Sequence, residues 1–188
     1  MNISGSVALV TGANGGIGRA FAAGLLKRGA AKIYVAARDP ASLSELLKGG
    51  DGRLVPLRLD VTDSAQVAAA ATAAPEVSLL VNNAGYMAFQ GAIAAPDISA
   101  ARREMDVNYF GLLRLAQEFG PVMRSRGADG QASATAWVNL LSIYALANFP
   151  PHGTYSASKA AALSLSQCLR AEMRAGGVRV INVFPGPI

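Results

Sequence analysis

The chain has 188 residues, 52% hydrophobic and 15% charged, which is enough apolar material to bury a core and too little charge for a disordered segment. Seventeen Lys and Arg against twelve Asp and Glu leave a net charge of +5. The basic residues are scattered, with no run longer than Lys27-Arg28 or Arg102-Arg103 and no interleaved aromatics, so a nucleic-acid surface is disfavoured and small anions remain as partners.

One cysteine, Cys168, and one histidine, His152, supply neither an internal disulfide nor a Cys/His metal site. No metal is expected, and a reducing, cytoplasmic setting fits. Met1 to Ser6 has neither a basic head nor a long apolar stretch and does not read as an export signal. Short β-rich apolar runs then recur at Val7 to Val10, Ile33 to Ala37, Leu54 to Leu59, Leu79 to Val81, Trp137 to Leu141 and Val178 to Phe184. Helical spacing fills the intervals at Arg19 to Lys27, Leu43 to Leu47, Ala65 to Ala73, Arg103 to Met123 and Tyr155 to Met173. This βαβαβαβαβαβ alternation, with strands apolar on both faces, predicts a single α/β domain over residues 1–188, a doubly wound parallel sheet covered on both sides. Gly127 to Ser133 reads as a loop. The uncharged stretch from Gly130 to Ser158 is interrupted by Asn139, Ser142, Asn148 and Pro150-Pro151, so it reads as strand and loop rather than as a membrane span. Cys168 reads as a small buried hydrophobe on the last helix.

The turn after the first strand is Thr11-Gly12-Ala13-Asn14-Gly15-Gly16-Ile17-Gly18. Glycines there allow a sharp turn, leave room for a pyrophosphate and let the next helix sit close to the strand, its N–H groups facing an anion. The spacing Gly12, Gly16, Gly18 departs from G-x-G-x-x-G, although Gly12, Gly15, Gly18 fits a second variant. A purely structural turn is the alternative. After the second strand, Ala37 and Arg38 stand where an acidic residue would favour NAD and an arginine would pair with a 2′-phosphate, so they favour NADP. Alternatively, Arg38 is a solvated charge partnered by Asp39. Asp60-Val61 either meets the adenine amino group or caps the helix entered near Thr62 to Ser64.

Tyr155-Ser156-Ala157-Ser158-Lys159 puts a phenol and an ammonium one helical turn apart on one face. Poising a tyrosine of pKa about 10 near neutrality requires roughly 4 kcal/mol in favour of the phenolate. A cation at about 4 Å and an effective dielectric of about 20 supplies a similar amount before desolvation. Lys159 is therefore expected to depress the tyrosine pKa, helped by an oxidised nicotinamide. Ser142 ends the fifth predicted strand and Asn82-Asn83-Ala84-Gly85 the fourth, both at the carboxyl edge where doubly wound sheets bind ligands.

Thr11 to Gly18, Asn82 to Gly85, Asn108, Ser142, Tyr155 with Lys159, and Pro185-Gly186 together resemble the short-chain dehydrogenase/reductase family over essentially the whole sequence. Asn-Asn-Ala-Gly points to its compact dehydrogenase branch. The resemblance implies a Rossmann-type fold and a catalytic tetrad of Asn108, Ser142, Tyr155 and Lys159. Tyr155 would exchange a proton with the substrate oxygen, Ser142 would hydrogen-bond that oxygen, and Lys159 would hold the ribose hydroxyls. Asn108 would position a relay water. The cofactor, NADP by preference with NAD possible, would meet Thr11, Gly12, Asn14, Gly16, Ile17, Gly18, Arg38, Asp60, Val61, Asn83, Ala84 and Gly85. Tyr155, Lys159, Pro185, Gly186 and Ile188 would complete its site, while Asn82 would tie strands together.

The implied activity is hydride transfer between a carbonyl and a secondary alcohol in a homodimer or homotetramer paired through the long helices. A non-catalytic dinucleotide-binding sensor or scaffold domain, or an inactive truncated form, is the competing reading. Relatives continue past Pro185-Gly186 into a covering loop, a helix and a last strand, so an omitted tail is expected. Ser142 lies in Leu141-Ser142-Ile143 rather than in a G-x-S-x-G elbow, which disfavours a hydrolase using His152. His152 is assigned a place at the pocket mouth and no catalytic role. Met87, Phe89, Tyr144, Leu146 and Phe149 form either an apolar substrate wall or core packing.

Overall fold

Strands β1 (Val7–Thr11), β2 (Lys32–Ala37), β3 (Leu54–Arg58), β4 (Leu79–Asn82), β5 (Ala136–Leu140) and β6 (Arg179–Val183) form one parallel sheet in the order β3-β2-β1-β4-β5-β6. The computed structural model describes residues 3–128 and 135–186; most of the predicted Gly127 to Ser133 loop lies outside them, as does Ile188. The chain winds outward from β1 to β3, then returns to lay β4 against the other side of β1. That reversal opens a crevice at the carboxyl ends of β1 and β4, where this topology binds ligands.

Side chains alternate across the strands and build a core on each face. Leu9, Leu80 and Trp137 point to one side, where they pack against α3 (Ser64–Ala73), α5 (Gly111–Ala128) and α6 (Gly153–Arg174) through residues such as Val67, Leu115, Phe119 and Leu169. Ala8, Val10, Val35 and Val81 point to the other, against Ala22 and Leu25 of α1 (Gly16–Lys27) and Leu43. A buried polar chain fixes α6 on the sheet. Trp137 Nε1 donates to Asn139 Oδ1 (2.8 Å), Asn139 Nδ2 to Ser166 Oγ (2.8 Å), and Ser166 Oγ to Asn182 Oδ1 (2.6 Å). Among the described residues no helix is long and apolar enough to cross a membrane.

The differences from the sequence reading have local causes. The segment predicted as Leu43 to Leu47 is a 3-10 turn, Pro40–Leu43, running into the short α2 (Ser44–Lys48), because Asp39 caps it through Ala41 N–H at 3.0 Å. The helix predicted over Arg103 to Met123 begins as α4 (Ser99–Met105), widens into a π turn at Asp106–Phe110 and continues as α5. Helix α3 is capped by Asp63, which accepts from Ala65 and Gln66 N–H at 2.9 and 3.1 Å, so Asp60 is not its cap. Cys168 is exposed rather than buried: α6 turns Ala162, Ser166, Leu169 and Met173 inward, and Cys168 falls off that stripe.

Candidate active site

A cleft of about 460 Å³ opens at the carboxyl ends of β1 and β4, lined by Gly12, Asn14 to Gly18, Ala37, Arg38, Leu59 to Thr62, Asn83 to Tyr86, Arg103, Asp106 and Val107. Its floor depends on missing side chains. Gly12 has φ +61°, and a Cβ there would press on the Ala84 Cα at 3.1 Å. At Gly18 a Cβ would run into the Gly12 carbonyl and lie 2.7 Å from the Ala13 Cα, so only glycine lets α1 start this close to β1. A Cβ at Gly16, by contrast, would meet nothing within 4 Å. Space is therefore left beside the first turn of α1, which has no side-chain cap and no acidic residue. These N–H groups, that space and Arg38 fit the phosphates of a dinucleotide. Arg38 is exposed on the cleft, and among the described residues it makes no ion pair or hydrogen bond; Asp39 is occupied as a cap.

The remaining cleft residues divide by what their side chains do. Asp60 Oδ1 accepts from Thr62 N–H (2.9 Å) and from the Thr62 hydroxyl (2.7 Å), shaping the rim. Thr11, expected to touch the cofactor, is buried behind the wall: its Oγ1 accepts from Asn83 and Ala84 N–H, both at 3.0 Å. Asn83 lines the cleft and also latches it, donating from Nδ2 to the Thr11 and Gly12 carbonyls at 2.9 and 3.1 Å. Asn82 Nδ2 reaches Asn139 Oδ1 across β4 and β5 at 3.4 Å. The Pro185 carbonyl accepts from Ile143 N–H at 3.1 Å, and Gly186 is exposed beside Ile143; neither lines the cleft. Tyr86, Arg103, Asp106 and Val107 were missed by sequence reasoning. Arg103 lies over the Tyr86 ring, 4.1 Å from its centroid, and the position directly after Asn-Asn-Ala-Gly was the signal available for Tyr86.

Asn108 and Lys159 meet at Gly85, the end of the cleft, with Tyr155 next to Lys159 and Ser142 next to Tyr155; none of the four side chains is among the residues that line the cleft itself. A Cβ at Gly85 would stand 3.4 Å from Asn108 Oδ1 and 3.6 Å from Lys159 Nζ. The π turn carries Asn108 inward; its Oδ1 accepts from Tyr86 N–H (2.9 Å), and its Nδ2 donates to the Tyr86 carbonyl (2.8 Å) and to Ser158 Oγ (2.9 Å). Ser142 lies two residues past the end of β5. It caps the turn Ile143–Ala145 by accepting from Tyr144 N–H at 3.2 Å, and it lies close enough to the Tyr155 phenol to pull its pKa down. Lys159 is buried and donates to the Leu140 carbonyl at 2.9 Å.

The electrostatics of this corner are set mainly by burial. Burial lowers the Lys159 ammonium to about 8. Burial also pushes the Tyr155 phenol above its ordinary value; the Ser142 hydroxyl opposes this, and Glu104 and Tyr144 add to it. Lys159, expected to depress the phenol, is not among the groups that shift it. Its Nζ is turned to Leu140 and lies 5.8 Å from the centroid of the Tyr155 ring.

A family model described as short chain dehydrogenase matches residues 6–188. Among curated proteins, the chain is 34% identical over 99% of its length to short chain dehydrogenase tazN of Aspergillus terreus, of which it covers 42%. It is 34% identical over 98% of its length to D-erythrulose reductase of Gallus gallus, of which it covers 72%. A short chain dehydrogenase from Burkholderia cenocepacia, solved in complex with NADP, superposes with a TM-score of 0.91 at 44% identity, covering 100% of this chain and 75% of that one. Another from Burkholderia phymatum, in complex with NAD, gives 0.89 at 32%, covering 100% and 68%. The chain spans about half the length of several curated relatives, including 42% of tazN and 58% of the mouse dehydrogenase/reductase SDR family member 7B.

Proposed function

Because the chain belongs to the short-chain dehydrogenase family of NAD(P)-dependent oxidoreductases, we propose that it interconverts a carbonyl and a secondary alcohol, prefers NADP(H), and uses Tyr155 as acid and base. The supporting observation is that Asn108 and Lys159 stand at the Gly85 end of the glycine-lined cleft, with Tyr155 beside Lys159 and Ser142 beside Tyr155. Gly12 to Gly18 and the start of α1 would hold the pyrophosphate, Arg38 the 2′-phosphate, and Lys159 the ribose beside the nicotinamide. When bound, the nicotinamide supplies or accepts the hydride at the substrate carbon.

The chain's own groups manage the proton and the charge. Tyr155 donates its phenolic proton to the carbonyl oxygen in reduction and takes one from the alcohol in oxidation. Burial keeps that proton on the phenol in the cofactor-free chain, which suits the acid role. The Ser142 hydroxyl, beside the phenol, hydrogen-bonds the same substrate oxygen and stabilises its developing charge. Asn108 has both amide hydrogens committed to Tyr86 and Ser158, so its side chain serves to hold the Asn83 to Tyr86 wall and the turn that carries Tyr155.

Preference for NADP(H) is supported by Ala37 and the unpaired Arg38, and by a relative at 44% identity solved with NADP. Self-association through the long helices is supported at one of them by Ile98 and Phe110, which stand exposed around an apolar groove on α4 and the π turn that follows it. Sedimentation should show a dimer or tetramer.

The test is NADPH oxidation across a panel of ketones and aldehydes by the wild type and Tyr155→Phe. Turnover should fall by about 10²–10⁴-fold in the variant, with NADPH binding nearly intact. Survival of activity in the variant would remove Tyr155 from its role. NADPH binding without oxidation by any carbonyl would remove the enzymatic reading itself.

A further inference from the structure

Among the described residues, Glu104 of α4 is the only acidic side chain that is buried, with 0% exposure. A carboxyl group in that position is costly, whereas an apolar side chain of similar size would fill it without loss of hydration. What the carboxyl provides is an acceptor. Its Oε1 takes the Ala88 N–H at 2.9 Å, while its Oε2 has no hydrogen-bond partner. One turn further along the same helical run, Asn108 holds both main-chain groups of Tyr86. Side chains 104 and 108 thus engage alternate loop residues, 86 and 88, much as a neighbouring strand would.

The residue next to this anchor is strained. Phe89 has φ +57°, a left-handed conformation that a bulky side chain adopts only when its surroundings impose it, and its ring is 70% exposed. That ring stands edge-on to His152 at 5.5 Å. The row continues through Phe149, 5.3 Å from His152, and Tyr144, stacked on Phe149 at 5.3 Å, to Tyr155, 6.3 Å from Tyr144. A wall of rings therefore leads from the reacting phenol to the strained loop tip. Glu104 is also close enough to the phenol to help raise its pKa.

We propose that Glu104 is a positioning residue which, through Ala88, holds Phe89 against His152, completing an aromatic wall that selects substrates carrying a planar ring on the carbonyl carbon. The inference rests on the oxidoreductase reading above. Phe89 is the group that touches substrate; Glu104 acts through the loop.

The test compares acetophenone with 2-butanone in the wild type, Glu104→Ala, Glu104→Gln and Phe89→Ala, reading turnover, binding of each ketone to the NADPH-loaded protein by saturation-transfer NMR, and thermal melts. Glu104→Ala and Phe89→Ala should each raise the acetophenone-to-2-butanone ratio of KM, and that of Kd, about tenfold, with NADPH binding within about twofold of wild type. Glu104→Gln keeps an oxygen for Ala88 N–H and should restore the preference. Equal losses for both ketones, or a glutamine variant as impaired as the alanine one, would reduce Glu104 to a purely structural role and overturn the proposal. Should Glu104→Ala fail to fold, the glutamine and Phe89 variants decide it. If the wild type turns over no carbonyl of the wider panel yet binds acetophenone preferentially, the oxidoreductase reading fails while the aromatic wall stands. If acetophenone binds no better than 2-butanone, the wall is refuted whatever the turnover.

Discussion

Along the cleft from Gly12 to Gly18, what would meet a ligand is main chain and the space left by missing side chains, whereas beyond Gly85 the proposed chemistry would fall to side-chain atoms of Asn108, Ser142, Tyr155 and Lys159. The first region is governed by volume and the second by charge and burial. A change in the cleft should therefore act through sterics and cofactor affinity. A change in the corner should act through protons, at nearly constant cofactor affinity.

The sharpest break between the two regions comes from Ser142→Ala. Removing a donor aimed at developing charge should lower kcat by about 10²–10³ while NADPH binding stays unchanged, measured by steady-state kinetics and fluorescence titration. A matching loss of NADPH affinity would erase the distinction. Within the cleft, Arg38→Ala should weaken NADPH by roughly 10–100-fold and NADH hardly at all, because a charge-assisted bond to phosphate is lost. Equal weakening of both would leave the 2′-phosphate without a partner. The glycines separate sterics within one turn: Gly18→Val should destabilise the fold by about 1–3 kcal/mol in urea melts, since its Cβ meets Gly12 and Ala13. Gly16→Val should leave the melt unchanged and impair cofactor binding alone, because its Cβ enters open space.

The smallest net effect concerns Lys159. With its ammonium lowered by burial to about 8 from 10.5, folded and unfolded chains are both charged below pH 8, where burying the charge costs on the order of 3 kcal/mol. Between those values the folded chain loses its proton first, so wild-type stability rises with pH. Lys159→Met should accordingly stabilise the fold most below pH 8, less whatever is lost with the bond to Leu140, and its advantage should shrink toward pH 10.5. Melts at pH 7 and 9.5 report this, and an advantage that grew with pH would contradict it.

The same contrast explains what could be read in advance. Strands whose apolar residues face both ways, and a glycine turn between Val10 and Arg19, express local constraints, so the sheet and cleft were legible in the sequence. The four residues proposed for the chemistry were picked out as types and spacings, and they stand as neighbours in pairs: Asn108 and Lys159 at Gly85, Lys159 and Tyr155, Tyr155 and Ser142. Their electrostatics were not legible, because the burial of Tyr155 and Lys159 comes from elements distant in the chain. Thr11 was assigned to the cleft because its position adjoins Gly12, but strand pairing turns its hydroxyl to Asn83 and Ala84. The π turn that directs Asn108 inward leaves no periodic signature in Asp106 to Phe110. The left-handed Phe89 was equally hidden, since nothing in Ala88-Phe89-Gln90 signals a strained backbone.

The decisive observation is the ionisation of Tyr155 itself, read as the 295 nm absorbance difference between wild type and Tyr155→Phe across pH, without and with saturating NADP⁺. Without cofactor the phenol should stay protonated to about pH 10 or above, the ordinary tyrosine value, and NADP⁺ should bring the transition down. A phenolate near pH 7 in the cofactor-free protein, or a transition that NADP⁺ does not move, would contradict the coupling of the cleft to a half-buried proton donor.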